Sequence, residues 1–214
     1  GAHFSSMLDS MTNEYDGRAV MLRQGRITHV DTLTEREEVT FDGLGTLEAF
    51  VTSGGTSTVP FALEGVLETY DNKTVRYPGH LDAFRAFKEL GLFGRDPVRA
   101  GKAEVRPRDL YHALLGPIIE SEGLVDVCVL RARAEGELNG APIAVTVDME
   151  DRYDPETGFA AMARLTGWHA AIMAALIAAG EVPAGVHSLE KAVPATRFMQ
   201  EVRRRGLAFQ ERWS

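Results

Sequence analysis

The stretch "LVDVCVLRARAEGELNGAPIAVTVDMEDRY", Leu124 to Tyr153, limits the folds open to this chain more than any other. Asn139-Gly140 is a dipeptide that tolerates two consecutive positive φ angles, as a type I′ turn requires. Before it, Val125, Val127 and Val129 share one face; after it, Ile143, Val145 and Val147 do the same. A period of two on both sides of such a turn predicts a β-hairpin, with arms frayed near the turn.

Other elements follow from the same kind of signal. "AVMLRQGRITHV" reads as two short strands around Gln24-Gly25, and Thr46–Thr52 as a strand. "STVPFALEG" can open a short helix capped by Ser57 or Thr58, with Pro60 in the first turn and Gly65 at the end. Lys73 and its neighbours read as extended chain or as a hairpin around Asp71-Asn72. Leu81, Phe84, Phe87 and Leu90 or Leu92 recur at helical spacing, and Gly91 stops that helix. A second helix starts at Pro107, and Pro117 should end or kink it. Residues 158–179 form a long apolar helix, and "ATRFMQEVRRRG" a last amphipathic one, followed by the apolar tail "LAF". No regular strand–helix–strand alternation appears. The expected class is α+β, a mixed and mainly antiparallel sheet with helices packed on one face. Residues 1–12 carry no periodicity and are expected to be a poorly ordered end or a cloning remnant, ahead of a single domain over 13–214.

Charge and cysteine usage exclude several classes. A formal net charge of −8 argues against nucleic acid or an anionic membrane as partner. The one cysteine, Cys128, permits no intrachain disulfide and fits a reducing cytoplasm. Phe159–Gly180 is long enough to span a bilayer, but Arg164, Thr166, Gly167 and His169 interrupt it, so a buried helix of a soluble domain is expected.

Three places could carry chemistry. "TSGGTST" supplies Ser53, Gly54, Gly55 and Thr56 ahead of a short helix, either as an anion cradle or as a capped tight turn. It lacks the lysine of a nucleotide P-loop, and GxGxxG occurs nowhere in the 214 residues. "RYPGH" sets Arg76, Tyr77 and His80 around a Pro-Gly turn; the alternative is an ordinary ion pair and a surface imidazole. Arg164, on an apolar helix, needs a partner: an acid such as Asp148 or Glu150, or an anionic ligand gripped by its fork, with Thr166 assisting. The six histidines and single cysteine show no metal-ligand spacing, so no metal is expected.

Together, "LEAFVTSGGTSTVPFALEG", "KTVRYPGHLDAFRAFKELGLF" and "MARLTGWHAAIMAALIAAGEVPAGVHSLE" resemble the C-terminal part of the saccharopine dehydrogenase and lysine 6-dehydrogenase family, in order and spacing. "NEYDGRAVMLRQG" resembles the segment that opens that domain, so the resemblance runs from about Asn13 to the C-terminus. It implies a substrate-binding, dimerising domain of an NAD- or NADP-dependent oxidoreductase that moves hydride at the amine carbon of lysine, saccharopine or a related amino acid. It implies a Rossmann domain outside these residues, no cofactor bound to this chain alone, and no activity alone. By the same resemblance Ser53, Gly54, Gly55, Thr56, Arg76, Tyr77, Arg164 and Thr166 face substrate, and His80 is the candidate general base. The competing expectation is a stand-alone binding or oligomerisation module of the same fold without catalysis.

Overall fold

The computed structural model describes every residue except Gly1, Ser57, Ser121, Glu122 and Leu124, with side chains from Leu8 onward. The N-cap role considered for Ser57 therefore lies outside the described residues. The chain divides into two compact units, Gly1–Ser121 and Glu122–Ser214, where the sequence reading treats 13–214 as one domain. The class is α+β, and every strand pairing among the described residues is antiparallel. Among the described residues the strands form four small sheets rather than one.

The first unit runs α1 (Ala2–Glu14), β1 (Arg18–Arg23), β2 (Arg26–Asp31), β3 (Glu37–Phe41), β4 (Gly45–Val51), α2 (Val59–Leu63), β5 (Lys73–Arg76), α3 (His80–Glu89), β6 (Val98–Ala100), β7 (Ala103–Val105) and α4 (Pro107–Ile119). Helix α1 corrects the reading of 1–12 as poorly ordered. Leu8 and Thr12 are buried, and Met11 packs on the core, so the helix is held by tertiary contact rather than by an obvious amphipathic stripe. Gln24 and Gly25 both take positive φ and close the β1–β2 hairpin as expected. β5 pairs with β4 instead of folding back on itself, which puts Arg76 directly opposite Glu48. Helix α4 continues past Pro117 to Ile119. Proline forfeits one ladder bond there, and the helix ends within a turn of it.

An aromatic core fills this unit: Tyr15, Leu33, Phe50, Leu81, Phe84, Phe93 and Tyr111, with Phe87 and Leu92 against it. Leu90, the alternative to Leu92 at the helix end, is exposed. Arg108 ties α4 to the end of α1. It is buried, donates through Nε to the Phe93 carbonyl at 2.9 Å and through Nη1 to Asn13 at 2.6 Å, and pairs with Asp16 at 3.2 Å.

The second unit runs β8 (Val127–Leu138), β9 (Ala141–Arg152), α5 (Ala161–Ala178), α6 (Leu189–Ala192), α7 (Ala195–Arg204) and β10 (Phe209–Trp213). Asn139 and Gly140 have φ of 55° and 80°, the two positive angles of the expected turn. The arms are not frayed, because pairing reaches Leu138 opposite Ala141. Val125 lies outside the strand and is exposed. The apolar tail read from "LAF" leads into β10, which pairs with β9 to give the order β10-β9-β8. Its partner lies some sixty residues back in the chain, which local pattern cannot reveal. Helix α5 buries Ile172 and Leu176 against Ala192 of α6, Val193 just after it and Val202 of α7, and Ala161 is buried at its start, while Met162 and Ile177 stay exposed. The expected buried helix is thus buried only in part, with Ala161, Ile172 and Leu176 covered. By length and composition alone α5 is also long and apolar enough to cross a membrane.

Replacing Arg108 with Met should lower unfolding stability by about 2 kcal/mol, since the buried Phe93 carbonyl loses its donor and Asp9 and Asp16 lose their cation. Urea denaturation of the chain measures this; an unchanged midpoint would mean that Arg108 does not hold α4 to α1.

Candidate functional site

Glycine 79 starts α3 with φ 93° and has no side chain to cap the helix. The cap comes from the neighbouring sheet instead. Glu48, buried on β4, accepts the Leu81 N–H at 2.7 Å through Oε1. A carboxylate is favourable at a helix N-terminus, where N–H groups lack partners. Its other oxygen is buried without a hydrogen bond and has the Arg36 guanidinium at 3.4 Å. This contact fixes the first residue of α3, His80, over the core.

His80 lies flat on Phe84, with ring centres 4.1 Å apart and 8° between planes. Its Nε2 is 2.9 Å from the hydroxyl of Tyr15, which is wholly buried. The same hydroxyl accepts from Arg76 Nε at 3.2 Å. A phenol oxygen that accepts from Arg76 still has its own proton to donate, so it can give that proton to Nε2, which leaves the imidazole proton on Nδ1. Burial, and then the charge of Arg76, push the His80 pKa down to about 4, against the opposing pull of Glu48. Burial raises the Tyr15 pKa, and Arg76 offsets part of that rise. The cluster at neutral pH is therefore a neutral imidazole, a neutral phenol and a cation. A base of pKa near 4 takes a proton from an ammonium group poorly at pH 7. Hydrogen bonding as a neutral ring suits His80 better than the general-base role.

The glycine loop is anchored beside this cluster. Ser53 donates through its hydroxyl to the Asn13 carbonyl and through its N–H to the Glu14 carbonyl, both at 2.8 Å, immediately before Tyr15. Gly54 has φ 92°. A Cβ on Gly55 would stand 2.3 Å from Asn72 Oδ1, so any larger residue there would require the Asn72 side chain to move. Thr56 is buried, which fits a structural place in the loop, and Tyr77 is 62% exposed at the turn before α3. The structure thus joins Ser53, Arg76 and His80 through the Asn13–Tyr15 segment. Arg76 also donates through Nη1 to its neighbour's carbonyl at 3.0 Å, and among the described residues no bond engages its Nη2.

Arg164 belongs to the second unit, on α5. Of the two readings open in the sequence, the internal pair is the one formed, although its partners are not Asp148 or Glu150. Nε donates to Asp151 at 3.1 Å, Nη2 makes a second bond to Asp151, and Nη1 pairs with Asp154 at 3.2 Å. The guanidinium also lies 5.4 Å from the centre of the Trp168 ring. These groups, with Phe159 and Arg205, line a cleft of about 400 Å³. Thr166 is exposed on the same helix. A ligand carboxylate would have to displace Asp151 to use this fork.

The saccharopine dehydrogenase C-terminal domain family matches residues 4–207. The chain belongs to that family. Its fold is similar to that of apo histidine-tagged saccharopine dehydrogenase (L-Glu forming) from Saccharomyces cerevisiae, with a TM-score of 0.70 at 16% identity. That likeness covers 96% of this chain and 61% of the yeast chain.

Two residues of this cluster escape a reading of the sequence. Tyr15 is missed because α1 shows no clear period and the tyrosine follows it in a polar run, "NEYDG". Glu48 does leave a signal: a lone acid inside the apolar strand "TLEAFV" must find a partner if the strand is buried on both faces.

His80 should titrate near pH 4 when its ring protons are followed by NMR. The native state holds this imidazole neutral while the unfolded chain protonates it near pH 6.5, so stability should fall as pH drops from about 6.5 to about 4. Burial lowers the His112 pKa too and adds to the same trend. His80→Gln should flatten part of that slope, and an ordinary His80 titration near 6.5 would contradict the buried cluster.

Proposed function

We propose that this chain is the substrate-binding and dimerising part of an NAD(P)-dependent oxidoreductase of the saccharopine dehydrogenase type, cytoplasmic, acting at the amine carbon of lysine, saccharopine or a related amino acid. The observation that supports it best is the Tyr15–Arg76–His80 cluster beside the glycine loop, within a chain of this family. Among the described residues Arg76 keeps its Nη2 uncommitted, and an α-carboxylate is a natural partner for it. Tyr15 holds the guanidinium from behind through Nε, so the side chain is already oriented before substrate arrives. His80 offers a neutral hydrogen-bonding ring that adds no competing positive charge near a substrate ammonium.

Ser53, Gly54, Gly55, Thr56 and Tyr77 belong to the substrate-facing segments in this reading, and glycine at 54 and 55 lets the loop backbone pack closely. Arg164 and Thr166 serve the second unit, where Arg164 orders the segment Asp151–Asp154. The nicotinamide cofactor, NAD or NADP, binds on a nucleotide-binding domain outside these 214 residues, which contain no GxGxxG. Hydride transfer needs nicotinamide and substrate carbon in contact, so the chain alone does not turn over.

In the complete dehydrogenase, Arg76→Ala should lower kcat/KM at least tenfold, mainly through KM, because the lost contact binds ground state and transition state alike. Steady-state kinetics decide it, and unchanged kcat/KM would remove Arg76 from the substrate site. Titrating this chain with NADH, followed by nicotinamide fluorescence, should give no saturable binding; saturation would place the dinucleotide site here.

A further inference from the structure

Strand β8 is an edge. The order β10-β9-β8 leaves no strand on its outer side among the described residues, and Leu130 to Leu138 are exposed along it. Twelve residues is long for a bare edge, and natural sheets shorten, bulge or cover such strands. The turn sets which backbone groups face outward. Leu138 and Ala141 flank a two-residue loop and so exchange ladder bonds, after which bonded and non-bonded pairs alternate. Pro142, with no N–H, stands opposite Glu137 in a non-bonded pair, which agrees with that assignment. The N–H and C=O groups of Arg133, Glu135 and Glu137 therefore point away from β9.

The side chains on this edge carry a second regularity. Arg131, Arg133, Glu135 and Glu137 occupy one face in that order, and Leu130, Ala132, Ala134, Gly136 and Leu138 the other. Two positive residues followed by two negative ones form a pattern complementary to itself when reversed. If a second copy runs antiparallel with Ala134 opposite Ala134, Arg133 meets Glu135 and Arg131 meets Glu137. Leu130 then meets Leu138 on the opposite face. A register shifted by one residue along each strand toward the N-terminus puts Arg133 opposite Arg133, and the equal shift the other way puts Glu135 opposite Glu135. Like charges directly opposed across strands are destabilising, so one register is selected. It is also a register in which the outward-facing groups of Arg133 and Glu135 bond to each other across the two copies.

We propose that β8 is the dimerisation edge, joining the two three-stranded sheets of two copies into one continuous sheet about a two-fold axis at Ala134. Before association, Arg133 bonds to Glu135 of its own strand and Arg131 to Asp148, so the charged face is held without the second copy. On pairing, Arg133 exchanges its own Glu135 for the Glu135 of the second copy. This deepens the dimerising half of the reading above and does not depend on its catalytic half.

Ala134→Cys tests it directly. At the axis, opposed Cα atoms of a non-bonded antiparallel pair stand about 4.5 Å apart, within the span of a disulfide. Under mild oxidation Ala134→Cys should crosslink two chains through residue 134, identified by peptide mapping, while the wild-type Cys128 does not crosslink. In sedimentation, Arg133→Glu should weaken the dimer about tenfold, and Arg133→Glu with Glu135→Arg should restore it, since the pattern is again self-complementary. A dimer that Ala134→Cys fails to crosslink and Arg133→Glu leaves intact would overturn the β8 edge while sparing the dimeric reading. A monomeric wild-type chain would overturn both, and neither result touches the Arg76 kinetics.

Discussion

One buried carboxylate sets the geometry of the first unit. Glu48 reaches from β4 to the N-terminus of α3 and supplies the cap that Gly79 cannot. The helix start is thereby fixed to the sheet rather than to its own loop. Because β5 pairs with β4 in register, the same strand position also has Arg76 across from it. His80 and Arg76 are thus placed by one anchor, and the Tyr15 phenol between them completes the set. The arrangement places a cation beside a ring that burial keeps neutral, so their proximity costs little repulsion.

The second unit relies on a different constraint. A two-residue loop with both angles positive forces Leu138 opposite Ala141, and every later pair follows from that register. Val127 and Val129 then fall on the face of Glu150 and Arg152, while Ile143, Val145 and Val147 fall on the face of Gly136, Ala134 and Ala132. The two apolar stripes visible in the sequence therefore lie on opposite faces of the hairpin. On the face bearing Met149, Phe209 packs with α5 and α7 residues.

Arg164 illustrates how a correct suspicion can have two outcomes. A cation on an apolar helix does need a counter-charge, and the chain supplies it from the strand end and the following turn, Asp151 and Asp154. The demand is readable from residue type and periodicity. The identity of the partner depends on where β9 ends and how the Asp154 turn bends back before α5, which no spacing rule fixes.

Local chemistry in the sequence determined the α3 helix with its Gly91 stop, the Gln24-Gly25 and Asn139-Gly140 turns, and the glycine loop, because each depends on φ limits or on a period within a few residues. Tertiary structure alone decided the Tyr15 hub, the Glu48 cap, the pairing of β10 with β9 and the acids that hold Arg164. Those contacts join residues far apart in the chain. A side chain's type announces that it needs a partner once buried, but only the folded backbone determines which partner comes within reach.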